Sequence, residues 1–138
     1  MDVIGHKRIY TNNRQNDIKK QKNNSMNKLI EKDLKQKIER LEVFEEKFQI
    51  RIENVSIRID DSQEVKIFCE VFPINGSQIE QDISIEFILY DKEGLILDKV
   101  NEYIDSEEFY GFEVIEANFY EEGLANEIGK IRIYPKKG

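Results

Sequence analysis

The chain has 138 residues, 39% of them hydrophobic and 36% charged, with a net charge of −7. This length and composition predict one folded domain with a strongly solvated surface. Cys69 is the only cysteine and His6 the only histidine, which excludes an internal disulfide, CxxC motifs, histidine-dependent triads and most zinc sites.

No apolar run approaches the roughly 18 residues that a membrane-spanning helix needs. The basic residues near the N-terminus are not followed by an apolar stretch, so we expect no secretory signal and a cytoplasmic location.

Residues 1–25 are rich in Asn and Lys, and this composition predicts a flexible basic arm. Residues 1–28 carry seven Lys and Arg against two Asp, a net +5, whereas the remainder carries 14 basic and 26 acidic residues, a net −12. We favour an arm that is solvated or rests on its own acidic domain. The alternative is binding of nucleic acid or another anionic partner through Lys19, Lys20 and Lys22. The sequence pI of 4.9 argues against nucleic acid.

The next segment has apolar residues three or four positions apart, which is typical of one helical face. These residues are Ile30, Leu34, Ile38, Leu41, Phe44 and Phe48. Because the segment also lacks Gly and Pro, the sequence predicts one amphipathic helix over 26–48.

The apolar stripe of this helix has three possible partners. It could dock on the chain's own sheets, form a short coiled coil with a second copy, or bind a groove of another protein. We favour docking or helix-mediated dimerisation, without choosing between them. The candidate partner-binding residues on the stripe are Leu34, Ile38 and Leu41.

From residue 49 onward the apolar residues alternate, which predicts β-strands. The alternation changes phase at Glu53-Asn54, so we expect a β-bulge or break there. Val65 to Val71 reads as a central strand ended by Pro73. Asn75-Gly76 has the composition of a hairpin turn.

Four further strands follow. Ile83 to Tyr90 and Leu95 to Ile104 read as a hairpin, Phe109 to Phe119 as an aromatic strand, and Ile128 to Tyr134 as the last strand. The total is six or seven strands with no helix between any two. We therefore predict a mainly β fold over 49–138, an antiparallel immunoglobulin-like β-sandwich preceded by one amphipathic helix.

The segment Phe87-Ile88-Leu89-Tyr90-Asp91 resembles the F-x-L-Y-D motif of the FxLYD domains, a family of small bacterial β-sandwich domains. The turn at Gly94 and the strand after it are also similar, and the resemblance would cover about residues 50 to 135. It implies an immunoglobulin-like sandwich with a role in binding or assembly and no known catalytic site. It also implies a location outside the membrane, which conflicts with the expected absence of a signal.

Acidic pairs stand in several predicted loops, at Asp60-Asp61, Glu107-Glu108 and Glu121-Glu122. Such oxygens can bind calcium, but we favour plain solvated surface because EF-hand spacing is absent. An aromatic stretch, Phe109 to Phe112, could form a platform for a ligand. We favour core packing of Phe109 and Phe112, with Tyr110 partly exposed as a candidate partner-binding residue.

These observations predict a non-enzymatic protein–protein interaction or assembly module. No catalytic, cofactor-binding or metal-binding residue is nominated. The expected partner is another protein or a second copy, with a possible homodimer through helix 26–48, and nucleic acid is the less favoured alternative. Deleting residues 1–47 is then expected to change assembly without unfolding the β domain.

Overall fold

β-Strands dominate residues 25–138, the part of the chain that the computed structural model describes. Two helices and one short 3₁₀ turn accompany seven strands. The elements in chain order are α1 (residues 25–35), β1 (Ile38–Arg40), α2 (Glu42–Lys47), β2 (Ile50–Ile59), β3 (Val65–Pro73), β4 (Ile83–Asp91), β5 (Ile96–Ile104), β6 (Glu113–Phe119), the 3₁₀ turn (Leu124–Asn126) and β7 (Ile128–Lys137).

The strands form two sheets. One has four strands in the order β1-β7-β4-β5, and the other has three in the order β2-β3-β6. β1 runs parallel to β7, whereas the other pairs described are antiparallel. The fold is therefore mainly β, as predicted.

Alternating residues of both sheets supply one shared hydrophobic core. β4 contributes Ile83, Ile85, Phe87 and Leu89 to it, and β7 contributes Ile131 and Ile133. The alternation that predicts these strands therefore also identifies their buried face. The opposite, outward faces of the two sheets lie on opposite sides of this core.

Several local predictions are confirmed. β4 and β5 pair as the expected hairpin. The register between β2 and β3 shifts between Glu53 and Ser56, where Asn54 has a φ of 52°, because the extra residue of a bulge lets the apolar alternation change phase. β3 is central in its sheet and ends at Pro73.

The prediction of one continuous helix over 26–48 is wrong. α1 ends at residue 35, a turn follows, and Ile38–Arg40 forms β1 before α2 begins. β1 lies against the edge of β7, where the N–H of Ile131 donates to the carbonyl of Lys37 at 3.0 Å. A pattern of neighbouring positions cannot predict pairing between residues 38 and 131. This pairing stabilises a strand where the local spacing alone favours a helix.

A hairpin at Asn75-Gly76 is also wrong. Gly76 has a φ of 71°, as its turn chemistry predicts. However, β3 and β4 belong to different sheets, so residues 74–82 cross from one sheet to the other instead of joining paired strands.

Within residues 25–138 neither helix is long and apolar enough to cross a membrane. The predicted basic arm comprises residues 1–25. All of it except Ser25 lies outside the described residues.

Candidate functional site

The residues nominated on the predicted helix are mostly structural. Leu34 on α1 is 1% exposed and belongs to the core. Ile38 lies in β1 and packs against the core, and Leu41 is half-buried just before α2. Much of the predicted stripe, namely Ile30, Leu34, Ile38 and Phe48, thus packs against the chain's own core, which leaves Leu34 inaccessible to a partner, whereas Phe44 is exposed.

Carboxylate side chains of the two helices accept hydrogen bonds from the edge of β2. Glu45 on α2 is buried, accepts the N–H of Ile52 at 2.9 Å and receives two hydrogen bonds from Arg40, at 3.1 and 2.8 Å. Glu31 on α1 accepts the N–H of Ile59 at 2.9 Å. β2 is an edge strand of its sheet, so these carboxylates satisfy backbone groups that would otherwise be free for another strand.

Tyr110 is exposed as predicted, with 78% of its surface accessible. Phe109 is buried, but Phe112 is 48% exposed, so its predicted place in the core is wrong. Phe112 instead stacks on Phe72 of β3 with ring centroids 5.2 Å apart. The register that pairs Val71 with Glu113 explains this position, because it sends Phe112 and Phe72 to the outward side. The three nominated lysines, Lys19, Lys20 and Lys22, lie outside the described residues.

An aromatic face therefore covers the outward side of the three-stranded sheet. Its apolar members are Phe68, Phe72, Phe112 and Val114, with Tyr110 two positions from Phe112 in the loop before β6. Val114 is 63% exposed. The alternation of β3 places Phe68 and Phe72 on this side, whereas Val114 could be assigned only from its register with Glu70.

Charged residues interleave with these rings. Arg51 lies over Phe72 at 5.9 Å from the ring centroid, and Arg58 lies over Phe68 at 5.5 Å, which are cation–π contacts. The face carries three cations and three carboxylates. They are Arg51, Arg58 and Lys66 with Glu53, Glu70 and Glu116. This surface is therefore apolar, aromatic and electrically balanced.

In the first of the acidic pairs, Asp60 is engaged in a local turn. The Oδ1 atom of Asp60 accepts the N–H groups of Ser62 and Glu64, as a turn-forming aspartate does. In the described part of the chain, no group of three or more His, Cys, Asp or Glu side chains is placed to hold a metal ion.

Residues 25–138 also form open depressions, one of which borders the aromatic face at Arg51. One, of about 470 Å³, is lined by polar side chains of the β4–β5 turn and by Asn126 and Glu127. Another, of about 270 Å³, lies beside Arg40, Glu45 and Ile74. Glu45 and Arg40 are already bonded to each other there, so these two charged groups of the depression form a structural ion pair.

Comparison with known proteins adds little. No family model and no curated protein matches the chain. A similar solved structure is the crystal structure of Campylobacter jejuni cj0090, with 10% sequence identity and a TM-score of 0.44 over 74% of this chain and 98% of that chain. At this level of similarity the likeness supports no statement about the present chain.

Proposed function

We propose that the chain is a non-enzymatic protein–protein interaction module that assembles with a second copy of itself through the aromatic face. The observation that carries this proposal is the combination of exposed rings and balanced charge on the outward side of the three-stranded sheet. Aromatic residues and arginine are the residue types most enriched where proteins bind one another.

Charge balance favours self-association through the aromatic face over self-association through the rest of the surface. Residues 25–138 carry 15 basic and 26 acidic residues, a net −11, so two copies repel each other through most of their surface. The aromatic face has equal numbers of both signs and can meet an identical face without net repulsion. Two-fold pairing of one patch with itself is also the commonest form of assembly.

The size of the face sets the expected affinity. Three strands of about seven residues cover a face of roughly 23 Å by 14 Å. The area of this face is smaller than the roughly 800 Å² that each partner buries in a stable interface. We therefore expect a weak dimer, with a dissociation constant on the order of micromolar to tens of micromolar.

The test is sedimentation equilibrium of wild-type protein and of a Val114→Asp variant over a concentration series. Val114 is exposed on the outward side of β6, beside Glu70 of the central strand, so an aspartate there costs little in folding but places a charge in the dimer contact. We expect the variant to dimerise at least tenfold more weakly than wild type.

The matched control is Leu95→Asp, another exposed aliphatic residue, located in the β4–β5 turn. It should dimerise as wild type does. Wild-type protein that stays monomeric up to millimolar concentration overturns the proposal, as does a loss in Leu95→Asp equal to that in Val114→Asp.

The finer fold assignment belongs to the same proposal. We infer an immunoglobulin-like β-sandwich of the FxLYD type, supported by two sheets around one core and by the Phe87–Asp91 motif. The parallel pairing of β1 with β7 is an addition to the predicted antiparallel arrangement. The cytoplasmic location remains an expectation from the sequence. Anionic-partner binding through Lys19, Lys20 and Lys22 stays a prediction too, because those residues are outside the described part.

A further inference from the structure

The outward side of the four-stranded sheet differs in chemistry from the aromatic face. Four cations lie on it, and we call them the cationic face: Lys99, Lys130, Arg132 and Lys136. Two carboxylates, Glu39 and Glu86, lie among them. A net charge of +2 on one side of a body that carries −11 is a local reversal of sign.

Each carboxylate is shared between two cations. Glu86, 3% exposed at its side chain, lies 3.0 Å from Lys136 Nζ and 3.8 Å from Lys99 Nζ. Glu39 lies 3.3 Å from Arg132 Nη2 and 3.7 Å from Lys130 Nζ. Each cluster therefore keeps one positive charge that no carboxylate of the described residues balances.

The cationic groups are accessible. The Lys99 side chain is 64% exposed, and the Lys130 and Lys136 side chains are also open to solvent. The ring of Tyr90 lies beneath the cluster around Glu39, with Lys130 Nζ 4.9 Å and the Arg132 guanidinium 5.2 Å from its centroid. This packing limits the freedom of two long side chains, which lowers the entropy lost when they bind a partner.

We propose that the cationic face binds an acidic, extended segment of another polypeptide. The carboxylates of Glu39 and Glu86 are two strand spacings apart across the sheet and one two-residue step along it, a separation of roughly 12 Å. An extended segment places residues i and i+4 about 13 Å apart. Acidic residues at that interval can therefore reach both clusters.

The same observations disfavour nucleic acid. Its phosphates are spaced closely along the whole strand, whereas this face holds two single surplus charges and the rest of the body is acidic. A short segment with a few carboxylates gains the attraction without bringing further negative charge near the acidic surface.

The test is fluorescence anisotropy with a labelled peptide of about twelve residues that has Glu at every fourth position and Ser elsewhere. The full chain should bind it with an affinity that weakens as salt is raised. The same peptide with Gln in place of Glu should not bind.

The informative variant is Lys99→Gln combined with Lys130→Gln. It removes the surplus charge of each cluster but leaves Glu86 paired with Lys136 and Glu39 paired with Arg132, so folding is preserved. We expect about tenfold weaker binding, and Lys99→Arg with Lys130→Arg should restore it. The matched control, Lys28→Gln with Lys32→Gln, changes the net charge equally at two exposed positions of α1, away from both faces, and should bind as wild type does.

Three outcomes overturn the proposal. They are no binding of the Glu peptide below roughly 1 mM, an equal loss in the control variant, and tighter binding of a single-stranded oligonucleotide than of the peptide at this face. Circular dichroism of each variant separates a change in binding from a change in folding.

Discussion

Two glutamates show how single side chains determine what the edge of a sheet can do. Glu31 and Glu45 reach the edge of β2 from different helices, and each accepts one backbone N–H. Glu45 also holds Arg40, and its hydrogen bond is the main reason that the pKa of Arg40 is raised above its usual value. This edge is consequently occupied by the chain's own side chains.

At this scale we predict that Glu45→Gln destabilises the protein, whereas Glu46→Gln does not. Glutamine keeps an acceptor for Ile52 but loses the charge that Arg40 bonds, at a site where Glu45 is buried. Loss of a buried charged hydrogen bond costs about 1 to 3 kcal/mol. Urea denaturation measures the difference in the free energy of unfolding. Glu46 is its exposed neighbour on α2, and equal stabilities of the two variants would contradict this account.

The elements between residues 25 and 47 show where sequence reasoning succeeds and where it stops. The spacing from Ile30 to Leu34 correctly indicates a buried helical stripe. The same spacing continues through Ile38 and Leu41, yet those positions leave the helix because β7 offers an edge for pairing. An interaction between residues almost a hundred positions apart has no local signature, whereas the β4–β5 hairpin, whose partners are close in sequence, was predictable.

The candidate surfaces follow the same division. Alternation along β3 separates its buried residues from Phe68 and Phe72, so half of the aromatic face was readable. Val114 and Phe112 joined it only through the register with β3, and the cationic face needed the strand order β1-β7-β4-β5. The strand order brings together cations that are distant in the sequence, and no local sequence pattern predicts that order.

Deleting residues 1–47 is the matching test at the scale of elements. The structure favours unfolding, contrary to the expectation from the sequence, because the deletion removes Leu34 from the core, β1 from its sheet and Glu45 from β2. Loss of a buried leucine alone costs about 2 to 5 kcal/mol, against a typical total of about 5 to 15 kcal/mol.

The control is deletion of residues 1–24, which removes none of the contacts described above. Thermal unfolding followed by circular dichroism should show a cooperative transition for residues 25–138 and none for residues 48–138. A soluble, cooperatively folding 48–138 fragment would mean that the N-terminal elements are dispensable.

For the molecule as a whole, Cys69 reports on whether the two sheets remain together. It lies in the shared core, and burial is the main cause that raises the pKa of its thiol to about 12, with smaller contributions from Glu45 and Glu70. Only the thiolate reacts rapidly with disulfide reagents. At pH 8 a thiol of this pKa is ionised in about one molecule in ten thousand.

We therefore predict that Cys69 in the native protein reacts with a chromogenic disulfide at least about a hundredfold more slowly than in urea-unfolded protein. Because the folded-state pKa is raised, the contribution of this thiol to stability is complete below its ordinary pKa of about 8.5 and declines as the pH rises toward 12. The measurement is the labelling rate against urea concentration and pH. A native rate close to that of the unfolded chain would show that the sheets separate readily.

The position of β7 has a consequence for biosynthesis. β7 is the last of the seven strands to be translated, yet it lies between β1 and β4 and completes the four-stranded sheet. Until residues 128–137 have emerged from the ribosome, β1 and β4 each carry an unpaired edge and the core lacks Ile131 and Ile133. Folding of the nascent chain can therefore be completed only after every other strand has emerged. That interval leaves open edges available for aggregation or for capture by chaperones.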